Sequence, residues 1–194
     1  MITAIVIHHL QTKFRNKTIG IAYVYCSFQR QHEQKPGDLL ASLLKQLSHS
    51  QPSCPPCVQD LYDQHQKDRT RPSLDEISRT LRSVITMYSR VFIAVDALDE
   101  CKDTSRNITL TEIFNIQAKT SLNIIATSRI NDAIQKRFDG YQSLKIHAAD
   151  DDIRRYIASQ ITSLEKDLLD DDIREEIQSK IAEAAEGMYV LHEV

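Results

Sequence analysis

Glycine is scarce in this chain, with four residues among 194 against an average usage of about 7%. This composition excludes collagen-like, glycine-rich linker and glycine-rich low-complexity classes. A cap or loop that needs a positive φ is therefore expected to use one of Gly20, Gly37, Gly140 and Gly187. None of the four begins a G-x-G-x-x-G or G-x-x-x-x-G-K-[ST] pattern, so neither glycine-rich nucleotide-binding motif occurs in the sequence.

Tryptophan is absent and aromatic residues make up 6% of the chain, which disfavours carbohydrate platforms and base-stacking surfaces. The 24 basic and 27 acidic side chains give a net charge of -3, so no nucleic acid or acidic membrane is expected as a partner. The apolar run at the start is far shorter than the ~20 residues of a membrane span, and no leader pattern precedes it. The sequence therefore predicts a cytoplasmic protein with reduced cysteines.

Alternating helical and extended patterns organise the chain. Strands rich in apolar and β-branched residues are separated by helices of ten or more residues, which predicts a mostly parallel sheet flanked by helices, an α/β fold. Ser73 and Glu76 form a capping-box pattern at one helix start. Predicted strands cover about 19–28, 91–95, 121–129 and 141–147; predicted helices cover about 2–14, 36–48, 58–66, 74–88, 110–119, 131–138, 150–161 and 171–186, with a polar loop at 103–107.

Two domains are expected from this pattern. Residues 1–148 contain all the predicted strands and would form the α/β domain. Residues 149–194 are predicted to be mostly helical and would begin a small helical subdomain.

Polar side chains close two of the predicted strands. Asp96, Asp99 and Glu100 follow one strand, and Thr127 and Arg129 close the next. In parallel α/β sheets ligands bind at the carboxyl ends of strands. A carboxylate there can hold Mg²⁺ through water, a second acid can position or deprotonate a water, and an arginine can neutralise a phosphoryl group. The alternative is that each strand simply ends in polar residues, but three acids within five positions favour a site.

The segments around these residues resemble a known family. Residues 91–101, VFIAVDALDEC, are similar to the Walker B segment of NACHT domains, which are signalling NTPases of the STAND group, and residues 124–129, IIATSR, are similar to their sensor 1 strand. Residues 20–28, GIAYVYCSF, with 38–47, DLLASLLKQL, resemble the fungal subset described as nephrocystin-like N-terminal domains. The resemblance covers essentially the whole chain and implies a P-loop NTPase type of fold.

The resemblance also implies roles for individual residues. It places Asp96 on Mg²⁺ through water, Asp99 or Glu100 on the hydrolytic water, and Arg129 near the γ-phosphate of ATP or GTP. Thr127 would lie at the nucleotide site and, with Ser128, shape the end of its strand.

One part of the family pattern is missing from the sequence. The resemblance implies a strand and a Walker A loop before the helix at 2–14, with that strand lying between the strand ending at Thr127 and the one near Leu144. We therefore expect a central row of ladder partners to be absent, and we interpret the sequence as a fragment or a mis-started gene model. Without the loop's amides and lysine, we expect weak binding of ATP or GTP at most and no firm cofactor.

The sequence is consistent with two functions. One is a nucleotide-controlled switch whose intact parent binds and hydrolyses ATP or GTP with Mg²⁺ and governs self-association, by resemblance in fungal non-self recognition or cell death. The other is a degenerate NTPase fold that binds protein partners without turnover. Both imply protein partners, with homo-oligomers through the intact parent, and no nucleic acid or membrane.

Other polar groups have simpler interpretations. Cys54 and Cys57 form a C-x-x-C pair near His49 and His65, but their spacing matches no zinc-finger pattern, so a loop with two thiols is favoured over zinc or redox chemistry. The acidic triplets 150–152 and 170–172 precede predicted helices, where carboxylates favour the positive end of the dipole.

Overall fold

The computed structural model describes residues 2–14, 18–146, 180 and 189–193. Within them, five strands form one sheet with helices packed against it, and two 3-10 turns follow β1 and β2. The helices are α1 (Ile2–Lys13), α2 (Pro36–His49), α3 (Pro56–Asp68), α4 (Leu74–Ile85), α5 (Asp103–Gln117) and α6 (Asp132–Arg137). The strands are β1 (Ile19–Tyr25), β2 (Arg90–Asp96), β3 (Leu122–Ser128), β4 (Gln142–Ile146) and β5 (Tyr189–Glu193), and the turns are Phe28–Arg30 and Leu98–Glu100.

The strand order in the sheet is β1-β2-β3-β5-β4. β1, β2 and β3 run parallel to one another, and β5 pairs antiparallel with both β3 and β4. The expected α/β fold, with parallel strands flanked by helices, is confirmed. The position between β3 and β4, which the resemblance led us to expect empty, is filled by β5, a segment assigned above to the second domain.

The main core lies between one face of the sheet and α2, α4 and α5. Alternate residues of β1, β2 and β3 point to this face, so that Ile93 of β2 and Ile124 of β3 are fully buried. The helices supply a matching apolar surface, since the leucines of α2 recur at helical spacing and lie together on its buried side. Fully buried leucines and isoleucines of the helices are Leu40, Leu43, Leu47, Leu81, Ile85, Leu110, Ile113 and Ile134.

The opposite face of β1 and β2 is covered by α1. Phe14, just after the helix, stacks on Phe92 of β2 with ring centroids 5.5 Å apart. Ile7 of α1 is buried at 5% exposure. α1 therefore packs on β1 and β2, and α2 packs on β1 from the other side.

Most predicted helix and strand positions agree with the structure, but the predicted polar loop at 103–107 is wrong. These residues form the first turns of α5, which begins at Asp103. The reason is tertiary: Arg106 is 3% exposed, and its guanidinium lies 3.0 Å from Asp103 and 3.5 Å from the Cys101 carbonyl. The predicted helix at 150–161 lies outside the described residues, as does the one at 171–186 except for residue 180, which is helical. No helix in the described part of the chain is long and apolar enough to cross a membrane.

Candidate functional site

Asp96 and Thr127 meet at the carboxyl edge of the parallel strands. The ladder pairs Val95 of β2 with Ala126 of β3, so the next residues along both strands are adjacent. The Thr127 hydroxyl donates to Asp96 Oδ1 at 2.7 Å and accepts from the Ala97 backbone N–H at 3.0 Å. Thr127 therefore orients the carboxylate and satisfies a backbone donor of the following turn.

Ala97 redirects the chain directly after β2. Its φ of 54° and ψ of 51° lie in the left-handed region, which costs a residue with a Cβ roughly 1–2 kcal/mol. The expectation that glycines would hold such positions is wrong: Arg69 and Ala97 have positive φ, and Gly140 is the only such glycine among the described residues. At Ala97 the hydrogen bond to Thr127 and the burial of Leu98 at 3% exposure offset the strain.

The turn at Leu98–Glu100 brings both predicted acids to Arg129. Asp99 Oδ1 accepts the Arg129 backbone N–H at 3.0 Å, and Asp99 Oδ2 lies 3.4 Å from its Nε. Glu100 Oε1 lies 3.7 Å from an Arg129 terminal nitrogen. The arginine side chain is 65% exposed, whereas those of Asp99 and Glu100 are 15% and 33% exposed. The structure thus joins the two strand ends through a carboxylate-guanidinium cluster.

Glu100 also holds the segment that follows β1. Its Oε2 accepts the Phe28 backbone N–H at 3.1 Å, and its carbonyl accepts a hydrogen bond from Gln31 Nε2 at 2.8 Å. Gln34, 6% exposed, donates to the Tyr25 carbonyl and accepts from the Ser27 N–H. Sequence patterns did not indicate this connection, because the two segments are distant along the chain.

Thr3 is a site residue that sequence reasoning missed. It lies in the first turn of α1, is 1% exposed, and donates its hydroxyl hydrogen bond to Asp96 Oδ1. The amino-terminal end of α1 is thereby placed beside a carboxylate, where the helix dipole favours negative charge. A threonine within an apolar helix carries no local signal of a partner 93 positions away.

The other predicted polar groups lie apart from this cluster. Ser128 is 2% exposed, and its hydroxyl has no hydrogen-bond partner among the described residues. Since successive strand residues face opposite sides, Ser128 points away from Thr127 and Asp96. The His65 ring contacts Thr70 at 2.6 Å and Glu76 at 3.4 Å. Cys54 and Cys57 are free thiols.

Two other thiols lie beside the turn at Leu98–Glu100. Cys26 follows β1, Cys101 follows the turn, and both are buried. The interaction with the Cys101 thiol and burial raise the pKa of Cys26, whereas the interaction with Cys26 lowers the pKa of Cys101. Sequence reasoning considered only the C-x-x-C pair, because it is close in sequence.

The donor set around Asp96 fits a magnesium ion bound together with phosphate, but not one held by protein alone. Within the described ranges no three His, Cys, Asp or Glu side chains are grouped to hold a metal. Mg²⁺ usually needs one or two carboxylates, with waters and substrate phosphates completing the octahedron. Asp96 meets that need, because Oδ1 is oriented by two hydroxyls and Oδ2 accepts no hydrogen bond from any residue that the structure describes.

The chain was compared with models of protein families. The model of nephrocystin 3, N-terminal, matches residues 1–129, about two thirds of the chain, and the chain belongs to this family. The matched region ends at Arg129 and contains α1, the three parallel strands and every residue of the cluster described above. A search among curated proteins found no match.

Proposed function

We propose that this chain contains part of a nucleotide-controlled switch module of the NACHT type in the STAND group of P-loop NTPases. One observation carries the proposal: Asp96 and Thr127 are hydrogen-bonded to each other, and Asp99 and Glu100 contact Arg129, at the same carboxyl edge of the parallel strands. Such an edge is where α/β sheets bind ligands. Membership of the nephrocystin 3 N-terminal family supports the proposal at a coarser level.

In this proposal Asp96 would hold Mg²⁺ through water, in company with the phosphates of ATP or GTP. The bound ion would neutralise charge on the phosphates and orient them. Thr3 and Thr127 fix Oδ1 of Asp96 and leave Oδ2 for the hydrated ion. The chain's own part is thus to present one oriented carboxylate at the edge of the sheet.

The geometry separates the roles of the two following acids. Asp99 uses both oxygens on Arg129, so we assign it the positioning of the arginine. Glu100 is more exposed and lies farther from Arg129, so it is the better candidate for orienting a hydrolytic water. Arg129, with 65% of its side chain exposed, can turn toward a γ-phosphate by giving up contacts with these carboxylates.

A protein-interaction module without turnover is the second candidate. The observation that favours it is that Arg129 is already neutralised by two carboxylates, while the sequence contains no G-x-x-x-x-G-K-[ST] motif. The backbone amides and lysine that cradle β- and γ-phosphates in P-loop proteins therefore have no counterpart in the sequence.

The test is a comparison of the chain with a version extended at its amino end by a strand and a Walker A loop. Each is titrated with a fluorescent ATP or GTP analogue, with and without Mg²⁺, and assayed for phosphate release. We expect weak binding by the chain itself, and Mg²⁺-dependent binding and hydrolysis by the extended version. Asp96→Ala in the extended version should abolish the Mg²⁺ dependence, whereas Asp132→Ala, an acid at the start of α6, should not.

Two results would decide against the switch. Hydrolysis unaffected by Asp96→Ala would remove Asp96 from the site. An extended version that is folded by circular dichroism but binds no triphosphate would favour the interaction module.

A further inference from the structure

Two buried cysteines, Cys26 and Cys101, lie beside the turn at Leu98–Glu100 that carries Asp99 and Glu100. Cys26 follows β1 and is 7% exposed, and Cys101 follows the turn at Leu98–Glu100 and is 2% exposed. Both belong to the main hydrophobic core, and each thiol shifts the pKa of the other. Cysteines from segments distant in sequence form a disulfide where their Cα atoms come within about 7 Å of each other.

The backbone holds these two segments together on both sides of the thiols. The Cys26 N–H donates to the Asp96 carbonyl at 3.0 Å. On the other side, the Phe28 N–H donates to the Glu100 carboxylate and Gln31 donates to the Glu100 carbonyl. The segments that carry the two thiols are therefore held side by side by hydrogen bonds.

We propose that Cys26 and Cys101 are a redox pair that forms an intramolecular disulfide in the presence of hydrogen peroxide. The bond would connect the end of β1 to the turn that carries Asp99 and Glu100. It would fix the position of that turn relative to the first strand by a covalent bond as well as by hydrogen bonds. This inference does not depend on nucleotide binding.

Disulfide formation by peroxide takes two steps. Peroxide transfers one oxygen to the Cys101 sulfur, which converts the thiol to a sulfenic acid and releases one water. The Cys26 sulfur then attacks the sulfenic sulfur, an S–S bond forms, and the hydroxyl leaves as a second water with the Cys26 proton. The two cysteines together lose two electrons, and peroxide gains them. Peroxide is small enough to reach Cys101 through local opening of the adjoining 3-10 turns.

A tryptic digest distinguishes a disulfide between Cys26 and Cys101 from one between Cys54 and Cys57. Cleavage after Lys17, Arg30, Arg90 and Lys102 places Cys26 in peptide 18–30 and Cys101 in peptide 91–102. Cleavage after Lys45 and Lys67 leaves Cys54 and Cys57 together in peptide 46–67. A disulfide between Cys26 and Cys101 therefore yields a linked pair of peptides, whereas the C-x-x-C pair can only link within one peptide.

The experiment treats the full chain with peroxide under native and denaturing conditions, alkylates the remaining thiols and analyses the digest without reduction. We expect most of peptide 91–102 to be linked to 18–30 in the native sample, and little of it in the denatured sample, where the short loop between Cys54 and Cys57 closes more readily. The double variant Cys54→Ser, Cys57→Ser should keep the link, and Cys26→Ser should lose it.

Two results would overturn the proposal. One is a native sample in which Cys54 and Cys57 have reacted completely while peptides 18–30 and 91–102 remain unlinked. The other is an equal yield of the linked pair in native and denatured protein, because this would show that the fold does not bring the two thiols together. Both results are obtained with the unmodified chain, so neither depends on whether a cysteine variant folds.

Discussion

Thr127 donates its hydroxyl hydrogen bond to Asp96 across two neighbouring parallel strands, at a distance of 2.7 Å. The same oxygen accepts the N–H of Ala97, the residue with left-handed backbone that begins the acidic turn. One hydroxyl thus orients the carboxylate and stabilises the turn that carries Asp99 and Glu100.

Thr127→Val is predicted to destabilise the protein by about 1–3 kcal/mol, because it leaves the Ala97 N–H without its partner in a half-buried place. Thr127→Ser keeps the hydroxyl and loses one methyl group, which costs about 0.8 kcal/mol. Urea unfolding of both variants measures the difference. Equal losses in the two variants would show that the hydroxyl contributes nothing to stability.

Gly20→Ala is predicted to destabilise β1 by about 1–3 kcal/mol through overpacking. A Cβ at this position would lie 2.9 Å from Leu47 Cδ2 and 3.2 Å from Val91 Cγ2, and both side chains are fully buried. Gly37→Ala is the matched control, since its Cβ would meet only Ile77 Cδ1 at 3.8 Å near the start of α2. We expect this control to gain up to about 1 kcal/mol from helix propensity. In thermal unfolding, Gly20→Ala should melt below the parent chain and Gly37→Ala should not. A Gly20→Ala variant as stable as the parent chain would contradict the packing argument.

Ser73→Ala is predicted to cost about 1 kcal/mol, because it removes the capping box of α4. The Ser73 hydroxyl accepts the Glu76 N–H at 3.3 Å, and the Glu76 carboxylate accepts the Ser73 N–H at 2.8 Å. Ser83→Ala on the exposed side of the same helix is the control, with an expected change within about 0.5 kcal/mol. The denaturant midpoint of Ser73→Ala should lie below that of Ser83→Ala. Coinciding midpoints would show that the cap is dispensable.

Tyr88→Phe is predicted to cost about 1 kcal/mol at neutral pH, because the buried phenol donates to the Leu47 carbonyl. Burial raises the pKa of Tyr88 above its ordinary value of 10.0, so the unfolded protein ionises first. The contribution of the un-ionised Tyr88 to stability is therefore complete below about pH 10 and is lost as the pH rises through the pKa of Tyr88 in the folded protein.

The measurement for Tyr88 is unfolding free energy as a function of pH between neutral and alkaline conditions. We expect stability to fall less steeply above about pH 10 in Tyr88→Phe than in the parent chain. Tyr62→Phe, at a position 59% exposed, should retain the parent's slope. Identical slopes in all three proteins would exclude Tyr88 as a source of the alkaline loss.

Much of the fold was predictable because its signals are local. The capping box at Ser73, the apolar run of β2 and the leucine spacing of α2 each depend on residues a few positions apart, and each agrees with the structure. The polar residues at 103–107 resembled a loop because helix formation there depends on the burial of Arg106. Burial of a charged side chain is not visible in a local pattern.

The candidate site shows the same division. The sequence predicted Asp96 and Thr127 at two strand ends, because apolar strands that close in polar residues are recognisable without a structure. It did not predict Thr3 as a partner of Asp96 or Gln31 as a partner of Glu100, because each pair joins residues distant in sequence. The roles of these residues in nucleotide binding remain predictions.

By itself, the sequence determined the α/β class, most helix and strand positions and the residues at the carboxyl ends of β2 and β3, since periodicity and capping act over short distances. Only the tertiary structure decided that β5 lies antiparallel between β3 and β4 and that Asp99 and Glu100 face Arg129. It also decided that the segment of Cys26 is hydrogen-bonded to the segment of Cys101. These relationships arise from strand pairing and core packing between distant segments, and no local pattern of residues encodes them.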